Sequence, residues 1–161
     1  MADCCLAEAQ PTPGPLRCPK CAQPGRRIDA MTVKALLRPA ALATLSAHGH
    51  RFCPTASCPV VYFADSEAFE VDAIAVSVFQ KQTGVDRTAC YCFQIGEADL
   101  RREIQETGRS TASGRVTEHV KAGRCACEIK NPQGSCCLGN IGSLVTALVA
   151  EFTRAKVEPG L

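Results

Sequence analysis

Cys53-Pro54-Thr55-Ala56-Ser57-Cys58-Pro59-Val60-Val61-Tyr62-Phe63 is the stretch on which the fold turns. Two cysteines with four residues between them sit on a loop stiffened by Pro54 and closed by Pro59. A compact β-rich run, Val60 to Phe63, follows at once and predicts a strand. Upstream, Cys18-Pro19-Lys20-Cys21 is a second tight pair, with 31 residues between the two. Short loops of this kind turn both sulfurs inward, so together they offer four thiolates to one ion. Zn²⁺ has no ligand-field preference and takes a tetrahedral set of four sulfurs readily. Such a set leaves no open position, which predicts a structural site rather than a catalytic one. Cys18, Cys21, Cys53 and Cys58 are therefore the expected zinc ligands. His48 and His50 lie close by as alternative ligands, but with four cysteines available each reads as a solvated loop residue.

The rest of the chain is as rich in sulfur. There are twelve cysteines in 161 residues, including Cys90-Tyr91-Cys92, Cys125-Ala126-Cys127, Cys136-Cys137 and Cys4-Cys5. Disulfides are the competing use, and they belong to secreted chains. The N-terminal Met-Ala-Asp-Cys-Cys-Leu-Ala-Glu is acidic and has neither the basic nor the apolar part of a signal peptide. A cytoplasmic location is expected, where clustered cysteines mean metal or redox chemistry. The longest apolar run, Leu138 to Phe152, is broken by Gly139, Asn140, Gly142, Ser143, Thr146 and Glu151, so no membrane insertion is expected. A net charge of +2 and the absence of Trp argue against a nucleic-acid partner. The chain carries no GxxxxGK(S/T), GxGxxG or HExxH motif and no nucleophile elbow, so no acid/base or nucleophilic enzyme is expected and no catalytic residue is assigned. Domains of about 70 residues have thin cores and usually need a metal to hold them.

Organisation follows from local pattern. Residues 1–16 hold Pro11, Pro13, Gly14 and Pro15 and read as a flexible tail, in which Cys4-Cys5 is a weak candidate for a soft ion. Residues 17–80 form the expected zinc-binding domain. Within it, Pro39 interrupts any helix between Val33 and Leu45, and Phe69 to Val78 predicts a second strand. Gln80 to Thr88 reads as a polar linker. From Cys90 the period becomes helical. Leu100, Ile104 and Thr107 share one face of a helix over Glu97–Thr107 that Gly108 ends. A second helix over Ser113–Ala122, capped by Thr111 or Ser113, is closed by Gly123. Residues 88–138 are thus a CxC loop, two short helices and a cysteine-bearing loop. Residues 139–157 form a C-terminal helix whose Ile141, Leu144, Val145, Leu148, Val149 and Phe152 make one apolar stripe, more often packed on its own domain than on a partner. The predicted class is α+β: a small zinc-ribbon-like β domain, a helix-turn-helix [2Fe–2S] domain and an amphipathic C-terminal helix.

The second sulfur set carries the [2Fe–2S] reading. Such a cluster needs four thiolates, two on each iron. Cys90 and Cys92 lie on one loop, and Cys127 and Cys136-Cys137 come from a loop beyond two helices. The order resembles the bacterioferritin-associated ferredoxin domain, except that this family closes with CxxC. Together with Cys18-Pro-Lys-Cys21, Cys53-x4-Cys58, Val60-Val61-Tyr62-Phe63 and Asn131-Pro132-Gln133-Gly134-Ser135-Cys136-Cys137, residues 17–138 look like the N-terminal region of CopZ-type copper chaperones. That resemblance implies one zinc ion and one [2Fe–2S] cluster. The cluster ligands it implies are Cys90, Cys92, Cys127 and one of Cys136 and Cys137, with Cys137 preferred. Cys125 is the alternative to Cys127.

The resemblance implies a metallochaperone-like protein whose cluster passes single electrons. It would reduce or handle copper or another soft metal with a protein redox or metal-transfer partner. The family's Met-x-Cys-x-x-Cys copper loop has no counterpart in this sequence. The alternative is a cluster-based redox or iron sensor, or an interaction module with a structural zinc site. Lys121, Arg124 and Lys130 flank the later cysteines and would raise the potential of a nearby cluster, or are ordinary surface charges. Tyr91 would shield a sulfur or lie on the surface. His119 is a conceivable iron ligand, but four cysteines suffice and a solvent or capping role is expected.

Overall fold

The computed structural model describes residues 16–157. Almost all of the tail predicted over 1–16, with Cys4-Cys5, lies outside the described residues. The architecture is α+β. Strands β1 (Arg26–Arg27), β2 (Arg51–Phe52), β3 (Val60–Phe63) and β4 (Ala68–Glu70) form one antiparallel sheet in that order. A helical region follows.

Strand β3 is buried along its whole length, which is why its sequence is an unbroken apolar run rather than an alternation. A register shift between Val60 and Tyr62 divides its side chains. Val60 and Phe63 pack with Cys18, Cys53 and Cys58, whereas Val61 and Tyr62 join Val33, Leu36, Leu37 and Phe52. Gly25 lies directly under this strand. A Cβ there would meet the Phe63 ring and stand 2.5 Å from Cβ of Arg51, closer than real Cβ atoms come. Gly25→Ala should therefore lower stability by about 2 kcal/mol through overpacking, read as a lower melting temperature at unchanged zinc content.

Helix α1 (Ala30–Leu36) is capped by Asp29, whose carboxylate accepts from the Met31 amide at 2.7 Å. It stops because Pro39 forces Arg38 into extended geometry (ψ 152°). A short α2 (Pro39–Leu42) then starts with proline in its first position. The interruption expected at Pro39 is thus present. The strand expected over Phe69–Val78 is not: β4 ends at Glu70. The Val71 amide bonds the Pro59 carbonyl at 3.0 Å, and a 3-10 turn occupies Val71–Ala73. Only Ile74 then bridges back, to Leu37. The apolar residues there follow turns, with Ile74 and Val78 buried and Val71 and Val76 exposed. The linker predicted from Gln80 to Thr88 starts inside a 3-10 turn (Phe79–Lys81) and ends in a strand.

Strands β5 (Thr88–Cys90) and β6 (Ile95–Gly96) form an antiparallel ribbon. Helices α3 (Glu97–Thr107), α4 (Ala112–Lys121), α5 (Cys127–Lys130) and α6 (Leu138–Val157) follow. Gly108 ends α3 in the left-handed region (φ 76°), its amide returning to the Ile104 carbonyl at 2.8 Å. Leu100, Ile104, Val116, Ile141, Leu144 and Leu148 make one core, so the apolar stripe of α6 packs on α3 and α4 of its own chain. Among the described residues no helix is long and apolar enough to cross a membrane.

The start of α4 differs from expectation. Thr111 occupies the N-cap position without a side-chain bond to the helix. Instead the Ser110 hydroxyl accepts from the Ala112 amide at 3.2 Å. Glu103 on α3 holds the corner from below, accepting from the Thr111 amide (3.0 Å) and from the Thr111 and Ser110 hydroxyls (2.7 Å each). The Thr111 hydroxyl, more than any other group, draws the Glu103 carboxyl from 4.5 down to about 2. A carboxylate depressed on folding stabilises the fold above its unfolded pKa and loses that contribution as pH falls through its folded value. Glu103→Gln should cost about 1–2 kcal/mol at neutral pH. The gap to the unaltered chain should close between about pH 4.5 and 2 in paired unfolding curves.

Candidate metal centres

The first centre is built by two backbone knuckles. The Cys18 carbonyl accepts from Ala22 and the Cys18 amide donates to Gln23, both at 2.9 Å, and Ala22 adopts a positive φ of 58° to complete the turn. The second knuckle is the connection between β2 and β3. The Cys53 amide bonds the Val61 carbonyl at 2.9 Å and the Cys58 amide bonds the Thr55 carbonyl at 3.2 Å. The sulfurs of Cys18, Cys21, Cys53 and Cys58 lie within 4.8 Å of one another. Cys18 and Cys58 are 3.8 Å apart, and Cys21 and Cys53 are 3.7 Å apart. A zinc tetrahedron with bonds of about 2.3 Å has edges of about 3.8 Å, so the donor set fits this ion.

Three of the four sulfurs are buried and Cys21 is half-buried. Burial pushes the Cys58 thiol up to about 12 and raises Cys18 as well. Cys21 goes the other way, to about 6, chiefly because the Thr55 hydroxyl stands 3.5 Å from its sulfur. Thiolates gathered in an apolar pocket are costly unless a cation neutralises them.

His50 is not the solvated residue its neighbourhood predicts. It is buried, and its Nε2 lies 2.8 Å from Oε1 of Glu67. Glu67 also accepts from the Ala47 amide at 2.9 Å and the Ser46 amide at 3.2 Å, so the pair closes the loop before β2. The reason is packing: His50 lies beside Phe69, with ring centroids 5.9 Å apart. His48 is exposed, as expected.

The second set of cysteines is positioned by β5, α5 and α6. Cys90 ends β5, Cys92 lies in the turn after it, Cys127 opens α5 and Cys137 immediately precedes α6. The Cys90 and Cys137 sulfurs are 2.8 Å apart and those of Cys92 and Cys127 are 3.7 Å apart. The Ala126 amide donates to the Cys92 sulfur (3.3 Å). Each pair therefore takes one sulfur from each loop. Among the described residues, only the earlier quartet gathers all its donor atoms within 4.8 Å. Cys125, half-buried, and Cys136, exposed, stand outside both pairs.

Tyr91 anchors the CxC turn. Its hydroxyl donates to the Ser77 carbonyl at 2.8 Å and accepts from the Phe79 amide at 2.9 Å, holding the CxC turn to the preceding segment. Burial pushes its phenol up to about 12. His119 stacks on Phe93 at 4.4 Å and meets Arg124 at 3.3 Å, and neither role is legible in its sequence context. Lys121, Arg124 and Lys130 are exposed.

Comparison with known proteins bears on the first centre and on the fold. A family model described as a zinc binding domain, of CopZ type, matches residues 15–75. No curated protein matches the chain. Among solved structures, the chain is similar to the N-terminal domain of CopZ from Archaeoglobus fulgidus. The two share 29% identity with a TM-score of 0.66, over 80% of this chain and 97% of that one. A four-stranded sheet closing on four cysteines, a helical region after it and this likeness together make the chain a metal-binding protein with the architecture of a CopZ N-terminal domain.

Proposed function

We propose that the chain holds zinc at Cys18, Cys21, Cys53 and Cys58 and a [2Fe–2S] cluster at Cys90, Cys92, Cys127 and Cys137, and works as a metallochaperone-like carrier of single electrons. The observation that supports it is the pairing of four sulfurs, two from each of two loops, in the second half of the chain. When bound, such a cluster supplies one-electron transfer, enough to turn Cu(II) into the thiol-loving Cu(I). Copper enters through the likeness to CopZ-type chaperones, as substrate or cargo.

The residues around the pairs serve this chemistry in distinct ways. Burial of Cys90, Cys127 and Cys137 keeps water away, and the half-exposed Cys92 leaves one edge for a partner. The amide of Ala126 donates to the Cys92 sulfur and would stabilise added negative charge. Tyr91 ties the turn that carries Cys90 and Cys92 to Ser77 and Phe79. The first centre, closed by four thiolates, is structural.

The deciding experiment is purification without air, followed by iron, sulfide, zinc and visible-absorption measurements. The expected yield is about two iron, two sulfide and one zinc per chain. The reduced protein should convert Cu(II) to Cu(I), trapped by a Cu(I)-specific chelator. A colourless protein with zinc alone would leave only a structural metal protein.

A further inference from the structure

The loop that runs from Cys127 to Cys137 does not stand on its own half of the chain. Helix α5 packs against α1. The Thr32 hydroxyl, on α1 and fully buried, donates to the Glu128 carbonyl. The Tyr62 hydroxyl, from the middle of β3 and equally buried, donates to the Pro132 carbonyl at 2.8 Å. Gln80 reaches Gln133. Gly134, at φ 64°, presses so close to α1 and its lead-in that a Cβ would stand 2.5 Å from Cδ1 of Ile28. Asn131, 2% exposed, braces the loop internally through the Ser135 carbonyl and the Gln133 amide.

None of Thr32, Tyr62 or Ile28 belongs to either sulfur set. We infer that Tyr62 and Thr32 are positioning residues for the second centre: their hydroxyls pin the Cys127–Cys137 loop, Tyr62 to the sheet that closes the first centre and Thr32 to α1 beside it. This rests on the cluster reading above and deepens it. Cys127 and Cys137 are fixed from the first half of the chain, so the retention of whatever they hold depends on a strand and a helix that carry no ligand to it. Removing either hydroxyl leaves a loop carbonyl without its donor, while the apolar part of each side chain remains.

Tyr62→Phe and Thr32→Val make these deletions with little change in shape. Val61→Ala, in the same strand and fully buried, weakens the sheet without touching the loop. Two readouts apply to the full chain prepared without air. One is hydrogen exchange at the amides of residues 128–137. The other is the rate at which a ferrous chelator removes iron. Each hydroxyl deletion should speed both by about three- to tenfold, the size of one net hydrogen bond, beyond what Val61→Ala does at matched melting temperature.

Unchanged exchange in both variants overturns the inference. So does an equal effect of Val61→Ala, which would reduce Tyr62 and Thr32 to general stability. If the unaltered chain holds no iron or sulfide, the cluster reading fails on that count, and the exchange comparison alone decides whether the brace exists.

Discussion

Cys58→Ser is expected to empty the first centre and unfold the β1–β4 sheet. Cys58 is buried, 3.8 Å from Cys18 and two residues before β3, an inner, fully buried strand. The strands are short, two to four residues each, and the core attached to the knuckles is small. Structural zinc contributes an apparent ~10–16 kcal/mol in small domains. A whole domain is stable by only ~5–15 kcal/mol. Loss of one thiolate therefore threatens the entire margin, whereas an ordinary buried substitution removes a small part of it. Zinc per chain should fall to near zero, with loss of dispersed amide resonances from residues 18–63. Full zinc content and an unchanged melting temperature would show that the quartet holds no structural ion.

The contrast between two adjacent residues is the second large effect. Cys137 is 1% exposed and 2.8 Å from the Cys90 sulfur, whereas Cys136 is exposed and outside both pairs. Cys137→Ser should abolish iron, sulfide and visible absorption in protein purified without air, and Cys136→Ser should keep all three. Cys125→Ser should behave like Cys136→Ser, and Cys92→Ser and Cys127→Ser like Cys137→Ser. Zinc should remain at about one per chain throughout, because the first centre closes within residues 18–58. A Cys136→Ser protein without colour, beside a coloured Cys137→Ser protein, would reverse the ligand assignment.

Much of the fold was legible because its signals are local. The apolar run at Val60–Phe63, the proline at 39, the 3.6-residue period over Glu97–Thr107 and the stripe on α6 each state their own structure. The span after β4 departs from its local pattern, because Val71, Ile74, Val76 and Val78 mimic a continuing strand. The Val71–Pro59 hydrogen bond turns the chain instead, and nothing local announces it. Burial of His50 was missed for the same reason, since Glu67 lies 17 residues away. At the first centre, spacing alone named four sulfurs that the fold gathers. At the second, spacing left Cys125 against Cys127 and Cys136 against Cys137 open. The difference within each pair is which way a short helix or its lead-in turns a side chain, and that depends on packing from α1 and β3.

The two sets of sulfur contacts close separate stretches of chain. Cys18 to Cys58 spans 40 positions and Cys90 to Cys137 spans 47, and the two spans neither overlap nor nest. Closure entropy for loops so similar in length differs by only ~0.1 kcal/mol, so emergence from the ribosome decides which ring shuts first. The contact from Tyr62 to Pro132, 70 positions apart, then joins two rings that are already closed. A nascent chain stalled soon after residue 58 clears the exit tunnel should already capture its metal ion, before Cys127 and Cys137 have been synthesised.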